Sequence, residues 1–279
     1  MFDISNQSIL YFIIIIFCLV ILLFLYYVFR TKVYFPSIED VYHTIKYSKY
    51  IKSLSHIDFK IRNVIDKKHL LSNYKLYLHE LTDNQKEILL FYCKVADDKL
   101  YKKNNNIAKL SWNIILFEEL EDEMPHTHGN YILLPLSIIP KTKDIENKKF
   151  IDVLIHEKYH IYQRLNYNNP KFIKKMSDMG FDIYNDKLPN NIEIFRRKNP
   201  DFDLLYTWRK RYIPLFMLDI HSETIRDGEL ILYDIKENRN LTRINQSKIF
   251  KKFIDEMKNF GISKDYQMEH PYEILCYQL

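Results

Sequence analysis

The chain has 279 residues, of which 47% are hydrophobic and 15% aromatic, so it can bury a sizeable core and extensive disorder is excluded. Its formal net charge of +5 is spread along the sequence without a block of like charges, and we expect no nucleic-acid partner. Only three cysteines are present, which disfavours a disulfide framework and favours a reducing compartment for the main domain.

Residues 9–29 form an uninterrupted apolar run after a short N-terminal tail, residues 1–8. The run contains no charged residue and, as a helix, is long enough to cross a hydrocarbon core of about 30 Å. It exceeds the apolar part of a signal peptide, so we predict a single-pass transmembrane helix that persists. Because Arg30 and Lys32 follow directly, the large C-terminal domain is predicted to face the cytosol, or the virion interior if the protein is viral.

The next residues, 30–82, alternate basic, aromatic and aliphatic positions without a chemical motif. We interpret them as a helical spacer or packing region. Residues 83–279 are predicted to form one domain, which begins with a helix near Asp83 whose apolar positions recur on one face. A strand is predicted next, at Trp112–Phe117, because this run of six residues is rich in aromatic and aliphatic side chains. An acidic stretch follows it.

A turn and a second strand follow within residues 124–135. Pro125 and Gly129 mark the turn, and Tyr131–Leu134 reads as a short strand that Pro135 stops. Because a proline end and a short length suit the border of a sheet, we predict an edge strand here.

The remaining predicted elements are mostly helical or extended. A helix is predicted at residues 147–166, where apolar positions again fall on one face. Extended segments are predicted at residues 212–220 and 229–235, a long helix at residues 247–260, and a short helix beginning at Pro271.

The motif that carries chemistry is H-E-x-x-H, formed by His156, Glu157 and His160 in the helix at residues 147–166. Two histidines four residues apart project from one face of a helix and can reach a single Zn²⁺ ion. Glu157 lies beside them and suits a general base for a zinc-bound water. The expected chance count of this pattern in such a chain is on the order of 0.02, so we predict a zinc site.

A catalytic zinc needs a third protein ligand. The extended motif with a downstream glycine and a third histidine is excluded, because its two positions hold Gln163 and Asn166. The segment H-P-Y-E supplies the best candidates, His270 and Glu273, on the short C-terminal helix.

The order of these parts resembles the zincin fold of zinc metallopeptidases, and within it the gluzincin branch. The resemblance implies an α+β, zincin-like domain behind the transmembrane helix, in which a small mixed sheet with an edge strand packs on the HExxH helix and a mainly helical C-terminal part follows. It also implies a metallopeptidase that hydrolyses the peptide bonds of a peptide or protein substrate. The composition, rich in Ile, Lys and Asn, is typical of AT-rich genomes such as those of large DNA viruses.

By this resemblance His156, His160 and Glu273 match the metal positions and Glu157 matches the general base. The substrate would add to the edge strand, which comprises Tyr131, Ile132, Leu133 and Leu134. The family commonly has an aspartate four residues after its ligand glutamate, which supports a histidine, whereas Tyr277 stands there in this chain. Asp152, one turn before His156, is the candidate substitute.

Two further histidines, His126 and His128, are candidates for an oxyanion donor or an alternative ligand, as is His270. The sequence does not choose among them. The alternative to an enzyme is a catalytically inactive zincin-like membrane or virion protein with a structural or binding role, although the intact Glu157 favours catalysis.

Overall fold

The computed structural model describes residues 11, 13–22, 31–202, 204–243, 247–262 and 267–276. The chain is a mixed α/β structure with two five-stranded sheets in this described part. Its helices are α1 (residues 13–22), α2 (Ile38–Tyr47), α3 (Lys49–Ser53), α4 (His56–Ile61), α5 (Lys67–Tyr77), α6 (Asp83–Lys103), α7 (Asn105–Ala108), α8 (Lys148–Asn166), α9 (Pro170–Asp178), α10 (Asn190–Glu193), α11 (Lys248–Asn259) and α12 (Pro271–Cys276). Its strands are β1 (Val33–Tyr34), β2 (Leu78–His79), β3 (Trp112–Phe117), β4 (His126–His128), β5 (Tyr131–Pro135), β6 (Phe181–Tyr184), β7 (Leu205–Trp208), β8 (Tyr212–Met217), β9 (Glu229–Asp234) and β10 (Arg239–Leu241).

Helix α1 corrects the predicted membrane segment. Within the described residues, no helix is both long and apolar enough to cross a membrane. The prediction of a transmembrane helix at residues 9–29 is therefore wrong by this finding, and so are the single-pass location and the cytosolic orientation built on it. Residues 1–10, 12 and 23–30 lie outside the described part.

The first sheet has the order β1-β3-β5-β4, with β2 also paired to β3. Strands β1, β3 and β5 are parallel, whereas β2 and β4 run antiparallel to their neighbours. Strand β5, predicted as an edge, is therefore interior, because β4 folds back on it through a turn at Gly129 (φ +60°). The edge is β4, which its composition, His-Thr-His, did not reveal as a strand.

Alternating side chains of β3 and β5 separate two cores. Ile114, Leu116, Ile132 and Leu134 pack with α6 and α8, and Ile115, Phe117 and Leu133 pack with the helices α2, α3 and α5. The segment interpreted as a spacer or packing region, residues 30–82, thus adds two strands to this sheet and covers one of its faces. Helix α8 lies on the other face.

The second sheet, of order β10-β9-β8-β7-β6, is antiparallel throughout. It corrects the expectation of a mainly helical C-terminal part, since the extended segments near 212–220 and 229–235 pair as β8 and β9. Helices α9, α11 and α12 share a core with this sheet. The predicted strand β3 and helices α6, α8, α11 and α12 are confirmed to within two residues at the described ends.

Candidate metal centre

Helix α8 holds the HExxH motif in a fixed orientation. The Asn147 side chain caps its first turn by accepting a hydrogen bond from the Phe150 amide. Phe150, Ile151 and Leu154 bury its apolar side against the first sheet. Lys158, inside the motif, is fully buried and donates to Asp97 of α6, at 2.6 Å. The two motif histidines project from a different side of the helix, towards α12.

Three side chains that the sequence singled out meet at one point. The Nε2 atoms of His156 and His160 lie 2.9 Å apart, and each lies 3.3 Å from a carboxylate oxygen of Glu273. Ligand atoms about 2.0–2.1 Å from one zinc ion in a tetrahedral arrangement lie about 3.3 Å from each other. The spacing of these three groups therefore fits a common metal ion.

Glu273 reaches this point because α12 is docked against α8. Pro271 occupies the first turn of α12, where its missing amide hydrogen costs nothing, and the whole helix is buried. The Gln163 side chain of α8 donates from Nε2 to the Tyr272 carbonyl at 2.8 Å. Its Oε1 atom accepts from His160 Nδ1 at 2.9 Å. The helix that carries the third carboxylate is thus bonded directly to the HExxH helix.

The electrostatics of these three side chains reflect how close they lie. Burial alone would raise the pKa of Glu273, but the charges of His160 and His156 outweigh it and hold the pKa well below its usual range. Burial would conversely lower the pKa of both histidines, yet Cys276 and Glu273 raise it for His156, and Cys276, Asp201 and Glu273 raise it for His160. The two imidazoles and the carboxylate thus favour each other's charged forms.

Glu157 borders the same point but is not bonded into it. Its carboxylate is buried, and its Oε2 atom has no hydrogen-bond partner among the described residues. Burial, reinforced by the negative charge of Asp201, raises the pKa of Glu157 to about 8, although His156 and His160 act in the opposite direction. A carboxyl group with such a pKa can take up and release a proton near neutral pH.

Sequence reasoning missed two residues of the centre. Asp201 forms a group with His160 and Glu273, and Cys276 forms one with His156 and His160, with ligand atoms within 4.8 Å of one another in each group. Cys276 follows Glu273 by three residues on α12, so helical spacing could have identified it. Asp201 lies in a loop with no local signal.

His270 does not join the metal centre. Its Nε2 donates to the Leu204 carbonyl at 2.9 Å, and its Nδ1 accepts from the Tyr272 amide at 3.2 Å. The ring stacks on Phe202 with centroids 3.7 Å apart. Burial lowers the pKa of His270 to about 3. Both ring nitrogens are engaged, so the histidine anchors the start of α12 and is available neither as the substitute ligand nor as an oxyanion donor.

His126 and His128 lie on the face of the first sheet that is turned away from α8. Their register partners, Leu133 and Tyr131, belong to the core of the α2, α3 and α5 side. The His128 ring contacts Tyr50 there. His128 is therefore kept away from the HExxH helix, whereas His126, near the end of the strand, lines the same cleft as His156 and Glu157.

The edge of the first sheet at β4 is buried, and the amide at its centre already has a partner. The Thr127 amide and Oγ1 both donate to Asp201 Oδ1, at 2.6 and 2.7 Å. Arg164 of α8 fastens the same contact by donating to Thr127 Oγ1 and to the Asp201 carbonyl, each at 2.8 Å. Tyr277, at the position of the family's supporting aspartate, lies outside the described residues, and its candidate substitute, Asp152, is exposed on α8.

A cleft of about 810 Å³ opens onto the centre. Its wall contains His156, Glu157 and Glu273, together with Asp201 and, further out, Arg226. A volume of this size accommodates a short peptide segment or a small molecule.

Comparison with models of protein families gives no match, and neither curated proteins nor solved structures give a significant one.

Proposed function

We propose that this protein is a zinc-dependent peptidase that holds the ion with His156, His160 and Glu273. The observation that carries the proposal is the meeting of two imidazole nitrogens and one carboxylate at 2.9–3.3 Å, beside a buried Glu157 and at the base of a cleft. Two histidines and one glutamate form a donor set typical of catalytic zinc.

The state of His160 supports the fit. Its Nδ1 faces the Gln163 carbonyl oxygen, which can only accept, so Nδ1 carries a proton and Nε2 is the nitrogen that would bind a metal after giving up its own proton. That nitrogen lies next to His156 Nε2 and Glu273. Three protein ligands leave a fourth position open, as catalysis requires.

Zinc, when bound, supplies Lewis-acid chemistry by polarising a carbonyl group and acidifying water. Glu157 would accept the proton of the attacking water at its unpartnered Oε2 and return that proton to the leaving amine.

The substrate would enter through the cleft. Addition of a peptide strand at Tyr131–Leu134 is incompatible with the interior position of β5. Strand β4 is the edge next to β5, but its three residues are buried and its central amide, at Thr127, is already bonded to Asp201. A peptide that paired with β4 would have to displace this carboxylate.

The test is metal analysis and peptide hydrolysis with the purified full chain. We expect one zinc per chain, and cleavage of a mixed peptide pool detected by mass spectrometry. Glu157→Gln should keep the zinc and lose at least about 100-fold in cleavage rate, because it removes the base and not a ligand. Glu146→Gln, which changes an exposed glutamate just before α8, is the matched control and should behave as wild type.

Absence of zinc after incubation with the metal would overturn the proposal. Unchanged cleavage by Glu157→Gln would overturn the part of it that concerns Glu157.

A structural zinc site is the second candidate, and the position of Cys276 favours it. The Cys276 sulfur lies 4.0 Å from His160 Nε2, whereas a sulfur and a nitrogen on one tetrahedral zinc lie about 3.5 Å apart. A small movement of α12 would close the fourth position. The cobalt-substituted protein distinguishes the two sites, since a thiolate-to-metal charge-transfer band would appear only if Cys276 coordinates.

A further inference from the structure

One fully buried polar side chain lies between the two helices that carry the proposed ligands. Gln163 is on α8, three residues after His160, and its side-chain amide is bonded at both ends. Oε1 accepts from His160 Nδ1 at 2.9 Å, and Nε2 donates to the Tyr272 carbonyl of α12 at 2.8 Å. Nε2 also approaches the Cys276 sulfur at 3.8 Å. These partners all belong to the metal centre or its supporting helix.

The two bonds together fix the amide orientation. The Tyr272 carbonyl can only accept, so the NH₂ end of Gln163 must face it and the oxygen must face His160. With that oxygen as its partner, His160 carries its proton on Nδ1. A flipped amide would place an NH₂ group against a proton on His160 and an oxygen against the Tyr272 carbonyl.

We infer that Gln163 is a positioning residue of the metal centre, an inference that rests on the proposed zinc site. Through Oε1 it holds His160 in the tautomer and ring orientation that presents Nε2 to the ion. Through Nε2 it holds α12, and with it Glu273, at the correct distance from α8. A hydrogen-bonded partner on the second ring nitrogen orients a metal-binding histidine and strengthens it as a ligand.

The burial of Gln163 distinguishes a positioning role from a role in core packing alone. An amide of this size in an apolar core is unfavourable unless its polar atoms are paired. Among the described residues, the side-chain amide of Gln163 contacts His160 on α8 and Tyr272 and Cys276 on α12, so all of its partners lie on the two ligand-bearing helices. The side chain therefore couples one helix to the other at the point where the ligands meet.

The experiment separates the two ends of the amide. Gln163→Leu removes both bonds, and Gln163→Glu keeps an acceptor for His160 Nδ1 but loses the donor to Tyr272. Zinc affinity of the full chain is measured by competition with a chelator, and thermal unfolding is measured after metal removal. Asn166→Leu is the matched control. The Asn166 side-chain amide is on the same helix, and in the described part of the chain it donates to the Tyr162 carbonyl of that helix and not to α12.

We expect zinc affinity to fall about 10–100-fold in Gln163→Leu, which loses both bonds. It should fall by a clearly smaller factor in Gln163→Glu, which keeps the bond to His160 and loses only the one to Tyr272, and the metal-free Glu variant should unfold at a lower temperature than wild type. A residue with a packing role alone would lose affinity in parallel with stability in both variants. Equal losses in the two variants, or wild-type affinity in Gln163→Leu, would overturn the inference. Wild-type protein that binds no zinc would instead overturn the proposed function, before any variant is compared.

Discussion

The molecule has two pairs of closely spaced histidines, and they differ in what surrounds them. His156 and His160, four residues apart on α8, have ring centroids 4.6 Å apart and share Glu273. His126 and His128, two residues apart on β4, have centroids 5.3 Å apart. The Nε2 atom of each strand histidine is buried without a hydrogen-bond partner in the part of the chain that the structure describes.

Glu121 is the carboxylate that interacts with both strand histidines, and its oxygens already accept hydrogen bonds from other side chains. Glu121 accepts hydrogen bonds from Tyr50 and Tyr74, both at 2.7 Å, and from Arg62 at 2.7 Å. The Glu273 carboxylate has no such competitor among the described residues, since its ion pairs are with the two helix histidines. Spacing along an element thus brings two imidazoles together, but a free third carboxylate decides whether they can hold a metal.

The most direct test of this difference between the two pairs is to replace one histidine of each pair. His160→Ala should reduce zinc affinity by more than about 100-fold, since loss of a ligand exceeds the loss caused by a supporting contact. His128→Ala should leave the zinc content at the wild-type value. Elemental analysis after gel filtration measures both, and zinc loss from the His128 variant alone would reverse the roles of the two pairs.

The pH dependence of folding stability tests whether Glu121 is held ionised by its partners. Burial alone would raise the pKa of Glu121. The positive charge of Arg62 and the hydrogen bonds that Arg62 and Tyr74 donate outweigh burial and lower this pKa from the usual 4.5 to about 2. A lowered pKa stabilises the folded state above pH 4.5, and this contribution, about 3 kcal/mol, is lost as the pH falls towards 2.

Urea unfolding of wild type and Glu121→Gln measures that contribution. The difference in unfolding free energy between the two proteins should shrink steadily from pH 5 to pH 2, a range given by the two pKa values. A difference that is constant with pH would mean that Glu121 is not held ionised by Arg62.

The smallest effect concerns the unpartnered nitrogen of His128. Burial, with a further contribution from His126, lowers the pKa of His128 well below its usual value, so the ring is neutral. An unsatisfied buried acceptor is unfavourable by about 1–3 kcal/mol. His128→Phe should therefore leave the unfolding free energy unchanged or raise it by about 1 kcal/mol, as measured in urea. A clear loss of stability would show that His128 Nε2 has a partner, and that the two histidine pairs are more alike than their contacts indicate.

The local parts of this site were predictable, whereas its long-range parts were only partly so. Helical spacing placed His156, Glu157 and His160 on α8, because periodicity is a local property. Glu273 was found by likeness of motif order. Asp201 was not found, because its position depends on the bonds of a loop to Thr127 and Arg164.

The fold shows the same limit. The strand at Trp112–Phe117 was predicted with its observed bounds, since a run of apolar and aromatic residues suffices to identify it. The edge position of β5 was wrong because the neighbouring strand, His126–His128, carries no apolar pattern. Strand order depends on which segments pair, and a single sequence reports pairing poorly.

The bond between Gln163 and Tyr272 joins residues that are 109 positions apart in the sequence. All of the second sheet is encoded between them. During synthesis, a chain that has emerged through α8 but not through α12 would carry two of the three proposed ligands and no carboxylate to complete them. Capture of the ion would therefore follow the emergence of α12, and by mass action the ion would stabilise only chains in which both sheets are already in place.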